Sequence, residues 1–569
     1  MNRLIEKMFE NRGYSRDFVR EINDFSHDDL KDVDALCSRL KEIHDTGVQI
    51  VILPDFDMDG IMAGVVGFAG MAELGFNVAL FMPDPDEGYG FTPDTIMRLL
   101  EQYPNVNTIL TCDVGITCYA GINTAKLCGV DVLVTDHHNV QSDFKKKMKA
   151  SVVVDPMRED DTYAHPGICG AYVLYQCLQH YVNTYCTPFE QEQIRRLRVF
   201  AGIGTVSDSM PLRYENRQLV RDAVAVCRLV YGDGSPWFVN AMLGHDVYRR
   251  AFYGLHVALS MFADIGKISK PSDITEEFFG YYLAPTFNSV KRMSGDMQIA
   301  FGVFFGTNPA DSMSELMALN DQRKILVNEH LEKIQATKQQ FEPYVYITDA
   351  PSGILGLIAT KLMADDGLPK VVLRKKDDGT GYTGSGRSPA WYLFASRAIE
   401  EGFFIAGHEN AFGIGITDMR EMKNLATFLS KDVQEVYDVT DMSQYELLTP
   451  DFVISTDGSG DTGIDITLFV EYLSELEMLR PFGAGFEPPV VRLEFMAHEG
   501  KWDVLGSTKQ HLKIKLPYGF EVLCWNQANK LSYGDSGERI VVTGALGKNE
   551  YRGRTTINFT GDIEEFDTD

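Results

Sequence analysis

No stretch of this chain is apolar for long enough to cross a bilayer, and Met1 to Phe25 mixes charges with apolar residues without a signal-peptide core. A soluble, unexported, cytoplasmic protein is therefore expected. No C-x-x-C pair occurs among the nine cysteines. Most of them sit in apolar stretches, which reads as reduced, buried thiols. Basic residues are few: 53 Lys and Arg stand against 81 Asp and Glu, for a net charge of −28. That excludes a broad basic face, so a polyanion would have to reach any site through a local cationic path. Part of the acidity lies in Asp432 to Asp451 and in Asp562 to Asp569. Disorder signals are lacking too, and 44% hydrophobic residues in 569 positions suffice for ordinary globular cores. The length alone suggests roughly three to four domains.

What is present begins with Asp55-Phe56-Asp57-Met58-Asp59-Gly60, one residue after the apolar run Ile50 to Leu53. In an extended chain residues i, i+2 and i+4 face one way, so the three carboxylates would converge and need a compensating positive charge. A hard-cation site meets that need. Gly60 permits a tight turn, and Ile61 to Leu74 reads as the next helix of a parallel α/β unit, whose sites lie at the carboxyl ends of strands. The plainer alternative is a solvated, Asp-rich turn.

Three further segments repeat the pattern of apolar strand followed by metal-type ligands. Thr108 to Cys112 precedes Asp113-Val114-Gly115, Val130 to Thr135 precedes Asp136-His137-His138, and Ser151 to Val154 precedes Asp155-Pro156. A lone histidine is more often satisfied or exposed than a ligand. His137 is one member of a set. Val199 to Val206 ends at Asp208, whose plain reading is a helix or turn cap.

Taken in order, DFDMDG, CDVG, TDHH and GTVSDSMPL resemble the DHH phosphoesterase superfamily. Glu87-Gly88-Tyr89-Gly90, Glu215-Asn216-Arg217, Ala284-Pro285-Thr286-Phe287-Asn288, Gly384-Ser385-Gly386-Arg387-Ser388, Ala406-Gly407-His408-Glu409-Asn410-Ala411 and Arg480-Pro481-Phe482-Gly483 narrow the resemblance to RecJ-like single-strand exonucleases. It implies two divalent cations. Asp57 would hold the first, Asp59, His137 and Asp208 the second, and Asp113 would bridge them, with Asp55 as an extra ligand or a group behind the ligands. His138 would approach the scissile phosphate, and Asp113 and Asp136 complete the implied catalytic set. Carboxylates with one imidazole suit Mn2+, with Mg2+ as the alternative, better than zinc. Two bridged ions suit hydrolysis of a phosphodiester by in-line displacement. The implied activity is 5′-to-3′ digestion of single-stranded DNA, in DNA repair, recombination or phage DNA metabolism. A monomer is expected, with a single-strand-binding protein as a further partner and no membrane.

The resemblance implies an α/β fold: a parallel-sheet DHH catalytic domain, a connector helix, an α/β DHH-associated (DHHA1) domain and a C-terminal, OB-like β-barrel. The expected boundaries are 1–45 for an N-terminal helical segment, 46–315 for the catalytic domain with a helical insertion, 316–342 for the connector, 343–445 for the DHHA1 domain and 446–569 for the barrel. Alternating strands and helices over Ile50 to Val154 agree with a parallel sheet. In the DHHA1 segment, Ser385, Arg387, Ser388 and His408 would face the metals and hold the terminal nucleotide. Asn288 and Arg292 join the substrate-binding set. Period-two segments such as His511 to Leu516 put Lys513 and Lys515 on one face, near Trp502, His511, Phe520 and Trp525 in sequence, which suits single-strand binding.

Departures from the family fall on the holding side. Ala350-Pro351 stands where Trp-His is usual, Pro83-Asp84-Pro85-Asp86 lacks an Arg, and the small residue and Gly usual between Asn288 and Arg292 are replaced in Asn288-Ser289-Val290-Lys291-Arg292. Two rivals stand beside the exonuclease reading. A phosphodiesterase for short oligonucleotides or cyclic dinucleotides would generally lack the third domain, and a non-catalytic replication-type scaffold would have lost the metal set.

Overall fold

The computed structural model describes residues 2–15, 17–23, 29–82, 84, 87, 90–141, 143–232, 244–293, 295–407, 409–440, 442, 450–506, 509–551 and 554–564. His408, Gly88, Tyr89, Pro83, Pro85, Asp86 and the expected boundary near 445 lie outside them. The chain forms two compact units, one of residues 26–211 with 215–442, the other of 1–25, 212–214 and 443–569.

The larger unit contains two sheets. In the first, β1 (Ile50–Pro54), β2 (Val78–Leu80), β3 (Thr108–Cys112), β4 (Asp131–Thr135) and β5 (Val152–Val154) are all parallel, in the order β2-β1-β3-β4-β5. Alternate residues enter different cores: Ile50, Ile52, Leu110 and Leu133 pack on one face, Val51, Leu53, Ile109, Val132 and Val134 on the other. Both faces are covered, so these strands read as unbroken apolar runs.

The second sheet comprises β6 (Val345–Ile347), β7 (Lys370–Lys375), β8 (Tyr382–Arg387), β9 (Phe404–Gly407) and β10 (Ala411–Ile416), in the order β6-β7-β8-β10-β9. Between the sheets in sequence runs the helix Pro309–Gln335, which starts and ends about two turns earlier than the connector expected at 316–342. Pro309 explains the start, since its fixed φ and missing N–H suit the first helical turn. Met313 and Leu316 join the first-sheet core, whereas Val327 and Ile334 join Tyr346, Ile354 and Val372 of the second-sheet region. One helix thus carries both sheets.

The smaller unit holds β11 (Phe452–Ser455), β12 (Val491–Met496), β13 (Lys501–Leu505), β14 (His511–Lys515), β15 (Glu521–Cys524), β16 (Arg539–Tyr551) and β17 (Arg554–Ile563), in the order β11-β12-β16-β17-β15-β14-β13. The first helix, Arg3–Asn11, packs Leu4, Ile5, Met8 and Phe9 into this core, and Arg12 pairs with Asp451 at 2.6 Å. The helix Val33–Thr46 packs instead with the first sheet. Among the described residues no helix is long and apolar enough to cross a membrane. All nine cysteines are free thiols, most of them buried.

Candidate metal centre

The helix Met58–Glu73 starts earlier than Gly60 led us to expect, because Asp57 caps it. Asp57 Oδ1 accepts the backbone N–H groups of Asp59 and Gly60 at 3.0 and 3.2 Å. The three aspartates therefore do not share one extended face, which corrects the alternation argument. Asp55 stays at the strand end, Asp57 becomes the cap, and Asp59 enters the first helical turn. They enter two different ligand groups, Asp55 and Asp57 one and Asp59 another. Asp55, Asp57 and Asp113 offer oxygens within 4.8 Å of one another, as do the ligand atoms of Asp59, His137 and Asp208, and those of Asp113, His137 and His138. Asp113 belongs to two of these groups.

Backbone groups and close packing fix the cluster. Asp59 accepts the N–H groups of Gly170 and Ala171 at 2.7 and 3.3 Å. A Cβ at Gly170 would lie 2.3 Å from Asp113 Oδ1, and one at Gly204 would lie 2.3 Å from Asp59 Oδ1, so both helices approach through glycine. Asp113 itself sits at φ 64°, a left-handed conformation that is unusual for a residue with a side chain. Asp208 caps the C-terminal end of the helix Arg198–Ser207 and places Oδ2 3.6 Å from His137 Nε2, which stands 3.1 Å from Asp113 Oδ1.

Asp136 organises the histidines. Its Oδ1 accepts the His137 N–H and meets His138 Nδ1, both at 2.7 Å, while Oδ2 accepts the Ile116 N–H at 2.8 Å. Burial opposes charge on His138, but the Asp136 hydrogen bond and charge outweigh it and push the imidazole up to about 9. Burial lowers His137 below the usual histidine value.

Compensation is uneven: against burial, Lys291 holds Asp57 low and His138 holds Asp136 low, whereas other carboxylates rise. Burial and then Asp57 push Asp55 up to about 7. Burial, Asp59 and Asp57 push Asp208 up to about 8, and burial with neighbouring aspartates holds Asp113 well above the carboxylate range. Asp155, below the cluster, rises to about 8 through burial and Asp136. Asp55 Oδ1 and Asp113 Oδ1 are buried without a hydrogen bond. Orphaned oxygens converging with one imidazole are the donor set of a hard divalent cation, so the residues present fit such ions.

A cavity of about 710 Å³ opens on this cluster, lined by Asp55, Asp57, Asp136, His138, Asp208 and Lys291, and also by Ala406 and Gly407 of β9. The two sheets of the larger unit thus share one cleft, in the size range of small-ligand sites. Of the expected substrate contacts, Ser385 and Arg387 lie on β8. Ser388 is buried, and its hydroxyl donates to the Tyr392 carbonyl at 2.7 Å. Asn288 Oδ1 accepts the Met58 N–H at 2.9 Å, so its carboxamide steadies the start of the Met58–Glu73 helix. Burial lowers Arg387, and burial with repulsion from Arg323 and Arg387 lowers Arg292 to about 10. Arg323 and Arg387 thus lie near Arg292, which in turn is favoured in its charged form by Asp57.

In the smaller unit Lys513 pairs with Glu521 at 2.6 Å and Lys515 with Asp503 at 3.6 Å. Trp525 is 52% exposed, its ring 4.7 Å from that of His511. Trp502 is partly buried and donates to the Ala497 carbonyl. One residue that sequence reasoning did not select joins the larger unit's site: Lys291, whose signal was a charge in place of a family glycine.

Residues 49–201 match the DHH family N-terminal domain, and residues 465–561 match the RecJ OB domain. The single-stranded-DNA-specific exonuclease RecJ of Bacillus subtilis is 26% identical over 575 residues, an alignment that takes in 97% of this chain and 66%, just under two thirds, of that protein. The crystal structure of RecJ in complex with Mn2+ from Thermus thermophilus superposes with a TM-score of 0.70 at 20% identity, over 100% of this chain and 76% of that one. The corresponding Mg2+ complex gives 0.65 at 20% identity, over 100% and 75%. These superpositions show that the fold is shared.

Proposed function

Because this chain belongs to the RecJ-like members of the DHH family, we propose that it is a metal-dependent phosphodiester hydrolase that removes nucleotides from the 5′ end of single-stranded DNA. The observation that carries the reading is a chain of ligand groups, in which Asp113 joins Asp55 and Asp57 and stands 3.1 Å from His137, itself grouped with Asp59 and Asp208, with buried oxygens left without a hydrogen bond. Two divalent cations held there, Mn2+ by preference and Mg2+ as the alternative, would activate water and stabilise charge on the leaving oxygen. RecJ proteins are known with both ions bound.

The chain's own groups supply the rest. Asp57 and Asp55 would hold one ion, Asp59, His137 and Asp208 the other, and Asp113 both. Asp136 holds His138 Nδ1 and favours its charged form, which suits a group that approaches a phosphate oxygen. Ser385, Arg387 and Arg292 would hold the terminal nucleotide as donors and charges. Asn288 and Ser388 act as positioning residues, the first through Met58 and the second through the 388–392 turn. The OB domain argues for long single strands over dinucleotides. In the cell, repair, recombination or phage DNA metabolism would use such an activity, with a single-strand-binding protein as a partner.

The test is digestion of 5′-labelled and 3′-labelled single strands, a hairpin, a closed single-stranded circle, RNA and a dinucleotide with Mn2+ or Mg2+. The proposal expects 5′ mononucleotide release from linear single strands and arrest at the hairpin. Cutting of the circle, digestion from the 3′ end, or turnover of the dinucleotide alone would overturn it.

A further inference from the structure

Lys291 lies on the cavity wall, with its ammonium donating to Asp57 Oδ2 at 3.3 Å and 5.4 Å from the centre of the Phe56 ring. Its place is built, not incidental to a mobile surface. Ser289, two residues earlier, donates to the Thr286 and Leu316 carbonyls at 2.6 and 3.3 Å, and Val290 is fully buried. On the other side Gly353 packs so closely on the backbone of Arg292 that a Cβ there would come within 2.5 Å. The helix Ser289–Met293 therefore delivers one cationic side chain to one corner of the carboxylate cluster.

That corner is the one where Asp57 would hold a divalent cation. An ion bound to a carboxylate oxygen sits about 2.1 Å from it, and an ammonium 3.3 Å from the same oxygen repels that ion. We propose that Lys291 is a built-in counter-cation at the Asp57 site, which neutralises this corner and competes with the divalent ion there, so that the two metal positions differ in affinity. The inference rests on the two-cation reading above. It predicts one tight and one weak ion per chain, the weak one at Asp57, and activity that rises with cation concentration as the weaker position fills.

The test is calorimetric titration of the full chain with Mn2+ in the absence of DNA, on the unsubstituted protein, Lys291→Met and Lys291→Arg. Met keeps the apolar stem over Phe56 and removes the charge, and Lys291→Gly serves as a second neutral variant should the Met protein unfold at a lower temperature. The neutral variants should bind the weaker ion at least tenfold more tightly, whereas Lys291→Arg should titrate like the unsubstituted protein. Neutral variants that titrate like the unsubstituted protein, or bind Mn2+ more weakly, overturn the proposal. The nuclease reading fails separately, in the digestion assay, if linear single strands are left intact at saturating Mn2+.

Discussion

The two walls of the cavity differ in how their polar groups are held. On the first-sheet wall, carboxylates are fixed by backbone donors: Asp57 by Asp59 and Gly60, Asp59 by Gly170 and Ala171, Asp136 by Ile116 and His137. On the second-sheet side, Ala406 and Gly407 of the edge strand β9 line the cavity, while Arg387 of β8 donates to the adjacent Gly386 carbonyl and Ser388 is engaged by its own turn, neither of them among the lining residues. A reacting centre gains from groups oriented before the substrate arrives, since no reorganisation is then needed during the reaction. A wall that would accept successive nucleotides, as proposed for the second-sheet side, gains less from such rigidity. Catalysis and holding should therefore separate under mutation.

The largest effect tests the rigid wall at the residue shared by two ligand groups. Asp113→Asn should lower turnover by at least about a thousandfold while the chain still unfolds cooperatively, because on the proposed two-ion reading one lost charge would weaken both cation positions. Retention of near-normal digestion would remove the two-ion reading. Next comes the residue that orients His138. Asp136→Asn should lower kcat by about a hundredfold or more, within the range for a misplaced proton-handling group. Its alkaline limb should also move to lower pH, because Asp136 is what raises His138. An unchanged pH profile would show that His138 acts independently of its partner.

The first wall was also the more legible in sequence, for the same physical reason. Each strand of a doubly covered parallel sheet is an apolar run, and chain leaving its carboxyl end must turn, so DFDMDG, CDVG and TDHH announce both the sheet and residues that meet at its edge. What alternation missed was the Asp57 cap, which turns Asp59 toward His137 and Asp208. On the second wall, residue types told less than hydrogen bonds. Ser388 looks like a donor to a substrate, yet its hydroxyl donates to the Tyr392 carbonyl. Asn288 Oδ1 accepts the Met58 N–H, while among the described residues its amide donors make no such bond, and Arg323 lies within a helix whose other charges are exposed. The N-terminal segment was opaque because the apolar stripe of Arg3–Asn11 does not say which core it enters.

A middle-sized effect probes the adaptable wall. Arg387→Ala should raise KM on short single strands about tenfold, consistent with loss of one charge-assisted contact, and leave kcat and Mn2+ titration little changed. Equal losses in kcat would join the two walls into one catalytic unit.

The uncompensated carboxylates predict a smaller effect, read in stability. Asp55, Asp113, Asp155 and Asp208 bind protons more tightly folded than unfolded, so metal-free stability falls as pH rises through their folded values, of which three lie at about 7, 8 and 8. His138, raised to about 9, loses its contribution with the same sign above its ordinary value. The lowered groups Asp57, Asp136 and His137 act at lower pH. Chelator-treated protein should lose a few degrees of Tm between pH 6.5 and pH 9, and saturating Mn2+ should flatten that slope. A Tm that rises over this window without metal would show that the cluster is compensated in another way.

The smallest effect is a change in salt dependence at the smaller unit, where lysines on a β-face suggest phosphate contacts. Each phosphate neutralised on a single strand adds about 0.7 to the slope of log affinity against log salt. Lys513 and Lys515 are already matched by Glu521 and Asp503, so a phosphate that recruits either lysine must displace a carboxylate that remains beside it. Such exposed pairs are weak and can open, but the carboxylate left behind repels the strand and offsets the gain. The double variant Lys513→Ala, Lys515→Ala should therefore reduce the salt slope by less than about 0.7. Trp525→Ala removes an exposed ring that can stack on a base without involving a counterion, so it should weaken binding by about 1–3 kcal/mol with the slope unchanged. A slope loss near about 1.4, the sum for two full phosphate contacts, would show that both lysines leave their partners for DNA.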